Sequence, residues 1–270
     1  TSQIAAMSSD QVNALTTSQV VVFDTRQVAA MTSMQVSSLS TAQVRALDTA
    51  QFAAINTQAL AGVTGVTLSA LGTDKLSLLS TSQVAGLTQA QVNALATAQF
   101  ALLQTQQIAA LGTSQWSAIS SNLLASLTTL QVGALDTEDV AALRSSIIST
   151  LGTDRIQAIS TAQAVALTSA QLSAMSTAQL LALETADLAA LSTQAVKGLS
   201  AQQIALLTTA QVKALDTNQF AAVNSAQVVA LQTSQLAVID PADLNALASS
   251  TVGALSTAQV RAMTTAQWDV

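Results

Sequence analysis

The sequence contains no cysteine, no histidine and no tyrosine, and only 8% of its residues are charged. Without those side chains the chain cannot form a disulfide framework, a zinc finger, a histidine-based metal site or a Ser-His or Cys-His dyad. It also has no glycine-rich phosphate loop, paired-carboxylate motif or nucleophile elbow. We therefore predict that the protein is not an enzyme. We predict no catalytic, cofactor-binding or metal-binding residues, and no cofactor.

Positive charge is scarce as well, with 8 Lys+Arg against 14 Asp+Glu and a net charge of −6. The scattered cations give no basic face that could neutralise phosphates, so we expect no nucleic-acid partner. Apolar runs such as residues 20–23 are far below the roughly 18–20 residues that a bilayer requires, so we expect no membrane span. The start at Thr1, without Met or a charged leader, predicts a processed piece of a longer protein that lacks its targeting segment.

What the sequence does contain is an eight-residue repeat that keeps one register over the whole chain. Its consensus is Leu-[Ser/Thr/Asp/Asn]-Thr-x-Gln-Val-x-Ala. We name four positions of this octad by column: the Gln column (3, 11, … 267), the Val column (4, 12, … 268), the Leu column (7, 15, … 263) and the cap column (8, 16, … 264). Gln fills 23 of the 34 places in its column, and the Val and Leu columns are apolar throughout. We predict a single continuous solenoid over 1–270, with about 34 repeats.

One long helix cannot bury these columns, because eight residues at about 100° each rotate the apolar stripe by about 80° per octad. The cap column instead predicts a new helix in every octad. A Ser, Thr, Asp or Asn followed three residues later by Gln forms a capping box, and the Leu and Val columns occupy the two positions of a hydrophobic staple. Each octad therefore predicts a helix of about six or seven residues. Since one octad buries too little to fold alone, the fold class is an all-α solenoid of short capped helices with a shared core.

Two features leave alternatives open. Thr and Val, with possible Gln ladders, also suit a β-solenoid, although the abundant Ala and Leu favour helices. A weaker period of 40 residues, or five octads, appears in the cap column, where three glycines are spaced by it: Gly72, Gly112 and Gly152. It indicates either duplication of a 40-residue unit or a superhelical turn of five octads, with Gly at a tight corner.

The acidic clusters fit the octad as structural residues. In the run Asp136-Thr137-Glu138-Asp139, Asp136 is predicted to cap a helix and Asp139 to replace the capping-box Gln. Glu138 is predicted to be a first-turn negative charge that the helix dipole stabilises. Asp240 with Pro241 follows the same pattern, since proline suits the first position after a cap.

The other uncommon side chains are likewise interpreted from their columns. The cap column also holds Asp24, Asp48 and Asp216. The column after Val, predicted to face solvent, holds Arg45, Lys197, Lys213 and Arg261. Aromatic residues predicted to lie in the core are Phe23, Phe52, Phe100, Trp116, Phe220 and Trp268, of which Trp268 could instead cover an interface.

Two families carry similar motifs. The segment 15–23 resembles the Leu-Thr-x-x-Gln-Val-Val-Ala start of repeats in transcription activator-like effectors. The likeness covers one short helix, without the longer repeat unit, the base-reading pair or the basic surface of that family, so DNA binding is not implied. Over its whole length the chain resembles the Leu-Thr-x-x-Gln-Val-x-Ala repeat regions of very large secreted or surface proteins of bacteria, which are adhesin-like. That resemblance implies a structural role outside the cell.

The sequence therefore predicts a structural repeat protein that forms an extracellular filament, sheath or surface stalk. Uniform octads suit this role because length can change by whole repeats, and uncapped end repeats can stack on other copies. Self-association into fibres, by such end-to-end stacking, is the partner prediction. The alternative is a surface binding or adhesion module whose Thr/Ser-rich face engages a glycan, ice or another protein.

Overall fold

The structure is a computed structural model that describes residues 2–268. The chain divides into two compact units, Thr1–Ala134 and Leu135–Val270. Over the described residues each unit consists of short helices joined by tight links, and residues 2–268 contain no strand. The predicted all-α solenoid is confirmed, and the β-solenoid alternative is wrong.

Seventeen helices lie in the first unit, among residues 2–134. They are α1 (Ser2–Ala6), α2 (Ser9–Asn13), α3 (Thr17–Val20), α4 (Thr25–Ala29), α5 (Ser33–Ser38), α6 (Thr41–Ala46), α7 (Thr49–Ala53), α8 (Thr57–Leu60), α9 (Gly65–Ser69), α10 (Thr73–Leu76), α11 (Thr81–Ala85), α12 (Gln89–Ala94), α13 (Thr97–Ala101), α14 (Thr105–Ala109), α15 (Thr113–Ala118), α16 (Ser121–Ser126) and α17 (Thr129–Gly133).

The second unit continues the same pattern over residues 135–268. Its helices are α18 (Thr137–Ala142), α19 (Ser145–Ile148), α20 (Thr153–Gln157), α21 (Thr161–Ala166), α22 (Ser169–Ala174), α23 (Thr177–Ala182), α24 (Thr185–Ala190), α25 (Thr193–Lys197), α26 (Ala201–Leu206), α27 (Thr209–Ala214), α28 (Thr217–Ala222), α29 (Ser225–Ala230), α30 (Thr233–Leu236), α31 (Pro241–Asn245), α32 (Ser249–Val252), α33 (Thr257–Ala262) and a 3-10 helix at Thr265–Gln267.

The helices are shorter than predicted, with four to six residues where we expected six or seven. The difference arises in the link, where the Leu-column and cap-column residues can both leave the helical conformation. Leu39 has φ −66° and ψ 131°, and Ser40 has φ −67° and ψ 158°. Two consecutive extended residues turn the chain, and no residue described has a positive φ. The link therefore needs no glycine.

The predicted capping box recurs in most of the helices. In α6 the backbone N–H of Gln43 donates to Ser40 Oγ at 3.3 Å, and the N–H of Ser40 donates to Gln43 Oε1 at 2.7 Å. Where the cap residue has no side-chain acceptor, only the second bond forms, as from the N–H of Ala96 to Gln99 Oε1 at 2.8 Å. The octad thus begins a new helix by bonds between residues three apart.

Successive octads coil so that helices three apart in the chain pack together, as α2 does with α5 and α26 with α29. The helices of such a pair start 24 residues apart. Side-chain bonds between the same layers span up to 31 residues, so one turn of the solenoid takes between three and four octads. Of the two alternatives for the 40-residue period, the five-octad turn is wrong, which leaves duplication of a 40-residue unit. Gly72, with φ −70° and ψ 156°, has the ordinary cap conformation and no tight corner.

The Val and Leu columns form the core within each unit. Phe52, Phe100, Trp116 and Phe220 are buried as predicted, and the Phe100 and Trp116 rings meet edge-on with centroids 6.2 Å apart. Trp116 Nε1 is the one buried side-chain nitrogen or oxygen without a hydrogen-bond partner among the residues described. Phe23 is half-buried, and Trp268 is 54% exposed, so the core prediction is wrong for Trp268.

The column after Val is the outer face, as predicted. Four cations lie there and all are exposed: Arg45, Lys197, Lys213 and Arg261. Among the described residues, no helix has both the length and the apolar character needed to cross a bilayer.

Candidate functional site

The acidic residues singled out in the sequence lie at helix starts. Asp136 and Asp240 occupy N-cap positions as predicted, but neither carboxylate accepts the expected bond from the third residue of its helix. Asp24, Asp48 and Asp216 do accept it. Across residues 2–268 no three carboxylates come close enough together to hold a metal ion.

Asp139 is a buried carboxyl group whose pKa is shifted. Burial raises the pKa of Asp139 from 3.8 to about 6, with a further rise from the nearby charges of Asp136 and Glu138. A hydrogen bond with the backbone of Asp136 lowers it in part. Asp139 is only 4% exposed and stands in the Gln column. The shift therefore comes from placing a carboxyl group where the repeat normally buries a neutral amide.

The Gln column contains the most distinctive polar arrangement in the described part of the chain. From Gln35 onward, these side chains are buried despite being polar, typically with 1–6% exposure. Gln219 shows the full pattern. Its Oε1 accepts the N–H of the cap residue Asp216 at 2.8 Å, and its Nε2 donates to Leu191 O at 2.7 Å and Leu188 O at 2.9 Å.

Those two carbonyls lie 28 and 31 residues earlier in the chain, in the preceding turn of the solenoid. The same separations recur along both units, for example from Gln115 to Leu87 and Val84, and from Gln227 to Leu199. Each such glutamine thus joins the start of its own helix to the end of a helix one turn earlier. We call this bridging arrangement the glutamine staple.

The staple uses the groups that a short helix leaves unpaired. The last carbonyls of a helix have no partner within it, and a helix of four to six residues consists mostly of such termini. An amide side chain offers an acceptor and two donors at once, so it satisfies both helix ends. A glutamate would still complete the capping box, yet it would present a carboxylate to the carbonyls. This explains why 23 places hold Gln and none holds Glu.

Where the column lacks Gln, neighbouring residues replace parts of the staple. In the octad of Ala59, the cap residue Asn56 accepts from the Ala59 N–H at 2.8 Å and donates through Nδ2 to Ala29 O and Met31 O. Lys75 donates through Nζ to Arg45 O at 2.5 Å. The bond between turns is therefore preserved by different side chains.

Other replacements reverse the direction of bonding or use a different octad. In the octad of Leu123, the N–H of Ser120 donates to Asn93 Oδ1 at 2.7 Å, which replaces the missing Gln oxygen. Asp187 and Asp243 are buried acceptors, and a threonine hydroxyl 26 residues earlier donates to each: Thr161 to Asp187 at 2.9 Å and Thr217 to Asp243 at 2.6 Å. Thr161 and Thr217, each the residue directly after the cap column, thus bond between turns although both are exposed.

The interior staple stops at both ends of the described chain. Among residues 2–268, no acceptor lies within hydrogen-bonding distance of Nε2 of Gln11, Gln19 or Gln27. In the same segment Met7, Leu15 and Phe23 are half-buried, although the Leu column is buried from Met31 to Leu247.

The opposite end of the second unit lacks the matching donors. No donor among the described residues reaches the carbonyls of Leu247, Leu255 or Met263, whereas Ile239 O accepts from Gln267 at 2.7 Å. Val252, Val260 and Trp268 are 39%, 38% and 54% exposed, unlike the rest of the Val column. A cavity of about 170 Å³ opens there.

Comparison with known families gives one similarity. Three segments match the ALTTAQ repeat family. They cover residues 132–169, 180–217 and 236–268, which is less than half of the chain. Read as one-letter codes, ALTTAQ differs at one position from residues 166–171, where the last residue is the staple residue Gln171. No curated protein matches the chain.

The match to the ALTTAQ repeat supports a repeat protein built on this motif. The function of the Gln column between turns is the feature that the sequence prediction missed. The sequence did contain a signal for this function. A capping box accepts Glu as readily as Gln, so the absence of Glu from the Gln column needed a second explanation.

Proposed function

We propose that the protein is a structural repeat protein, secreted or held at the cell surface, that forms a filament, sheath or stalk and has no enzymatic activity. The observation that carries this proposal is the glutamine staple. Each octad is joined to the preceding turn by the same bonds, so any one octad can be followed by any other. A chain of this kind gains length without changing its local structure, which is what a building material requires.

The composition of the core supports the same role. Both apolar columns are filled by ordinary aliphatic and aromatic side chains, and the polar atoms of the Gln column are used in bonds between turns. The resemblance to repeat regions of large bacterial surface proteins agrees with a location outside the cell. The proposed partner is a further copy of the chain.

Electron microscopy of the purified chain tests the proposal. We expect filaments or fibres that lengthen with protein concentration, because heterologous contacts between copies generate open assemblies. Isolated particles of one chain each, at every concentration up to the solubility limit, would contradict it. Binding of the monomeric chain to a glycan array would instead favour the adhesion module.

A further inference from the structure

We propose that copies of the chain associate side by side, with one side of the solenoid in the second unit, which is basic, against the opposite side of a second copy, which is acidic. This contact rests on the proposed function, because it specifies how copies meet in a sheath or a bundle of filaments. It uses only side chains on the outer surface of residues 135–268.

Residues 28 apart in the second unit lie one above the other in successive turns. Gln163 donates to Leu135 O and Gln259 donates to Leu231 O, in each case across 28 residues. We number the positions around one turn from 1 to 28, so that residue 141 has turn position 1 and residue 169 has turn position 1 again. Residues with the same turn position therefore share one side of the solenoid.

The acidic side chains of the described second unit all fall in one half of the turn, at turn positions 14–27. Glu184 and Asp240, for example, are two turns apart and share turn position 16. Six of the acidic side chains are exposed: Asp136, Glu138, Asp154, Glu184, Asp216 and Asp240. We name turn positions 14–27 the acidic half. It also holds two cations, of which Arg155 pairs with Asp154 at 3.3 Å and Lys213 is exposed.

The other half of the turn carries only positive charge among residues 135–268. Lys197 has turn position 1, Arg144 has turn position 4 and Arg261 has turn position 9, and all three are exposed. No Asp or Glu of the described second unit lies at turn positions 1–13, which we name the basic half. Three apolar side chains of the basic half are also exposed, by 41–48%: Leu181, Leu206 and Val229.

The acidic half of a second copy is the partner that fits the basic half. Opposite charges on two surfaces orient and select an association. Glu184 and Asp240 lie two turns apart, and Lys197 and Arg261 lie a little over two turns apart, so the two sets of charges have similar spacing along the solenoid. Three cations in a unit of this length are too few to neutralise the closely spaced phosphates of a nucleic acid.

The contact uses two different surfaces of the same molecule, so it is heterologous. A pair of copies leaves the acidic half of one copy and the basic half of the other free. Such contacts add further copies until rotation closes a ring or the assembly remains open as a sheet or bundle.

The test compares Lys197→Glu with Lys213→Glu. Both lysines are exposed, stand in the column after Val and lie in the last turn of a short helix, α25 and α27. The two variants therefore have the same net charge, but Lys197 belongs to the basic half and Lys213 to the acidic half. Association is measured by sedimentation over a range of concentrations, at about 0.01 M and about 1 M salt, and the width of the assemblies by electron microscopy.

We expect Lys197→Glu to associate about three- to tenfold more weakly than the natural sequence at low salt, since it replaces an attraction between exposed charges by a repulsion. Lys213→Glu should associate as strongly as the natural sequence or more strongly, because it removes a cation from the acidic half. High salt should separate the side-by-side assemblies of the natural chain. Unchanged circular dichroism verifies that both variants are folded.

Equal association of the two variants, with filaments still present, overturns the side-by-side contact and leaves the proposed function standing. Assemblies whose width is unchanged at high salt overturn the contact as well. Absence of any association in the natural sequence overturns both. Binding of the monomeric chain to polyglutamate, lost in Lys197→Glu, gives the basic half a different acidic partner and overturns the contact between copies.

Discussion

Replacing a single interior glutamine by glutamate separates the two functions of the staple. We choose Gln219→Glu in α28. The variant keeps an oxygen that accepts the N–H of Asp216, so the helix start is preserved. It loses both donors, and it places a carboxylate beside Leu188 O and Leu191 O, which lie 2.9 and 2.7 Å from Nε2 in the natural protein.

The expected cost follows from those contacts. Two buried hydrogen bonds are lost and their acceptors stay buried, which costs about 1–3 kcal/mol for each unsatisfied group. Since Gln219 is 1% exposed, the carboxylate is also removed from water. We expect the free energy of unfolding to fall by about 3–5 kcal/mol at pH 7. The matched control is Gln202→Glu, at an exposed position in the first turn of α26, for which we expect a change within about 0.5 kcal/mol.

Urea unfolding monitored by circular dichroism measures both changes, and hydrogen exchange of the α28 amides localises them, because a repeat protein can open region by region. The loss should shrink in acid. Burial raises the pKa of a carboxyl group, so the cost of burying the ionised Glu is complete above its folded-state pKa. That cost disappears as pH falls toward the unfolded-state pKa, and the protonated carboxyl group then has one O–H donor. Equal stability of Gln219→Glu and Gln202→Glu at pH 7 would refute the staple.

Two further predictions concern other parts of the repeat. A methyl group on Gly62 would lie 2.3 Å from Ser33 O, so Gly62→Ala should lower the free energy of unfolding by about 1–3 kcal/mol, measured in urea. Gly253→Ala is the control and should change that free energy little, because the nearest atom to its methyl group would lie 3.4 Å away. Equal effects of the two substitutions would contradict the close approach of turns. Because the pKa of Asp139 is raised to about 6, the ionised carboxylate destabilises the fold above that pH, and the penalty fades between about pH 6 and 4. Asp139→Asn should therefore stabilise the protein at pH 7 and have little effect at pH 4; no difference between the two pH values would show that this carboxyl group is not perturbed.

The sequence predicted what is decided by residues close together in the chain. The capping box and the hydrophobic staple connect positions three or four apart, so the start of each helix and the two buried columns could be derived without a structure. Ser40 and Gln43 bond as expected, and Val44 and Leu47 are buried.

The turn of the solenoid could not be derived in that way. It depends on the angle between successive short helices, which is set by two extended residues such as Leu39 and Ser40 and by packing with the previous turn. The 40-residue period in the cap column suggested five octads per turn, but repetition in sequence need not follow the geometry of the coil. The partner of Gln43 in the previous turn, Leu15, is 28 residues away and could be identified only once the turn was known.

Exchange of the glutamine side-chain amide protons, measured by nuclear magnetic resonance, tests the central claim most directly. The account predicts that interior staple residues such as Gln115 and Gln227 exchange their Nε2 protons far more slowly than exposed residues such as Gln58 and Gln202. Interior Nε2 protons that exchange as fast as exposed ones would contradict the account.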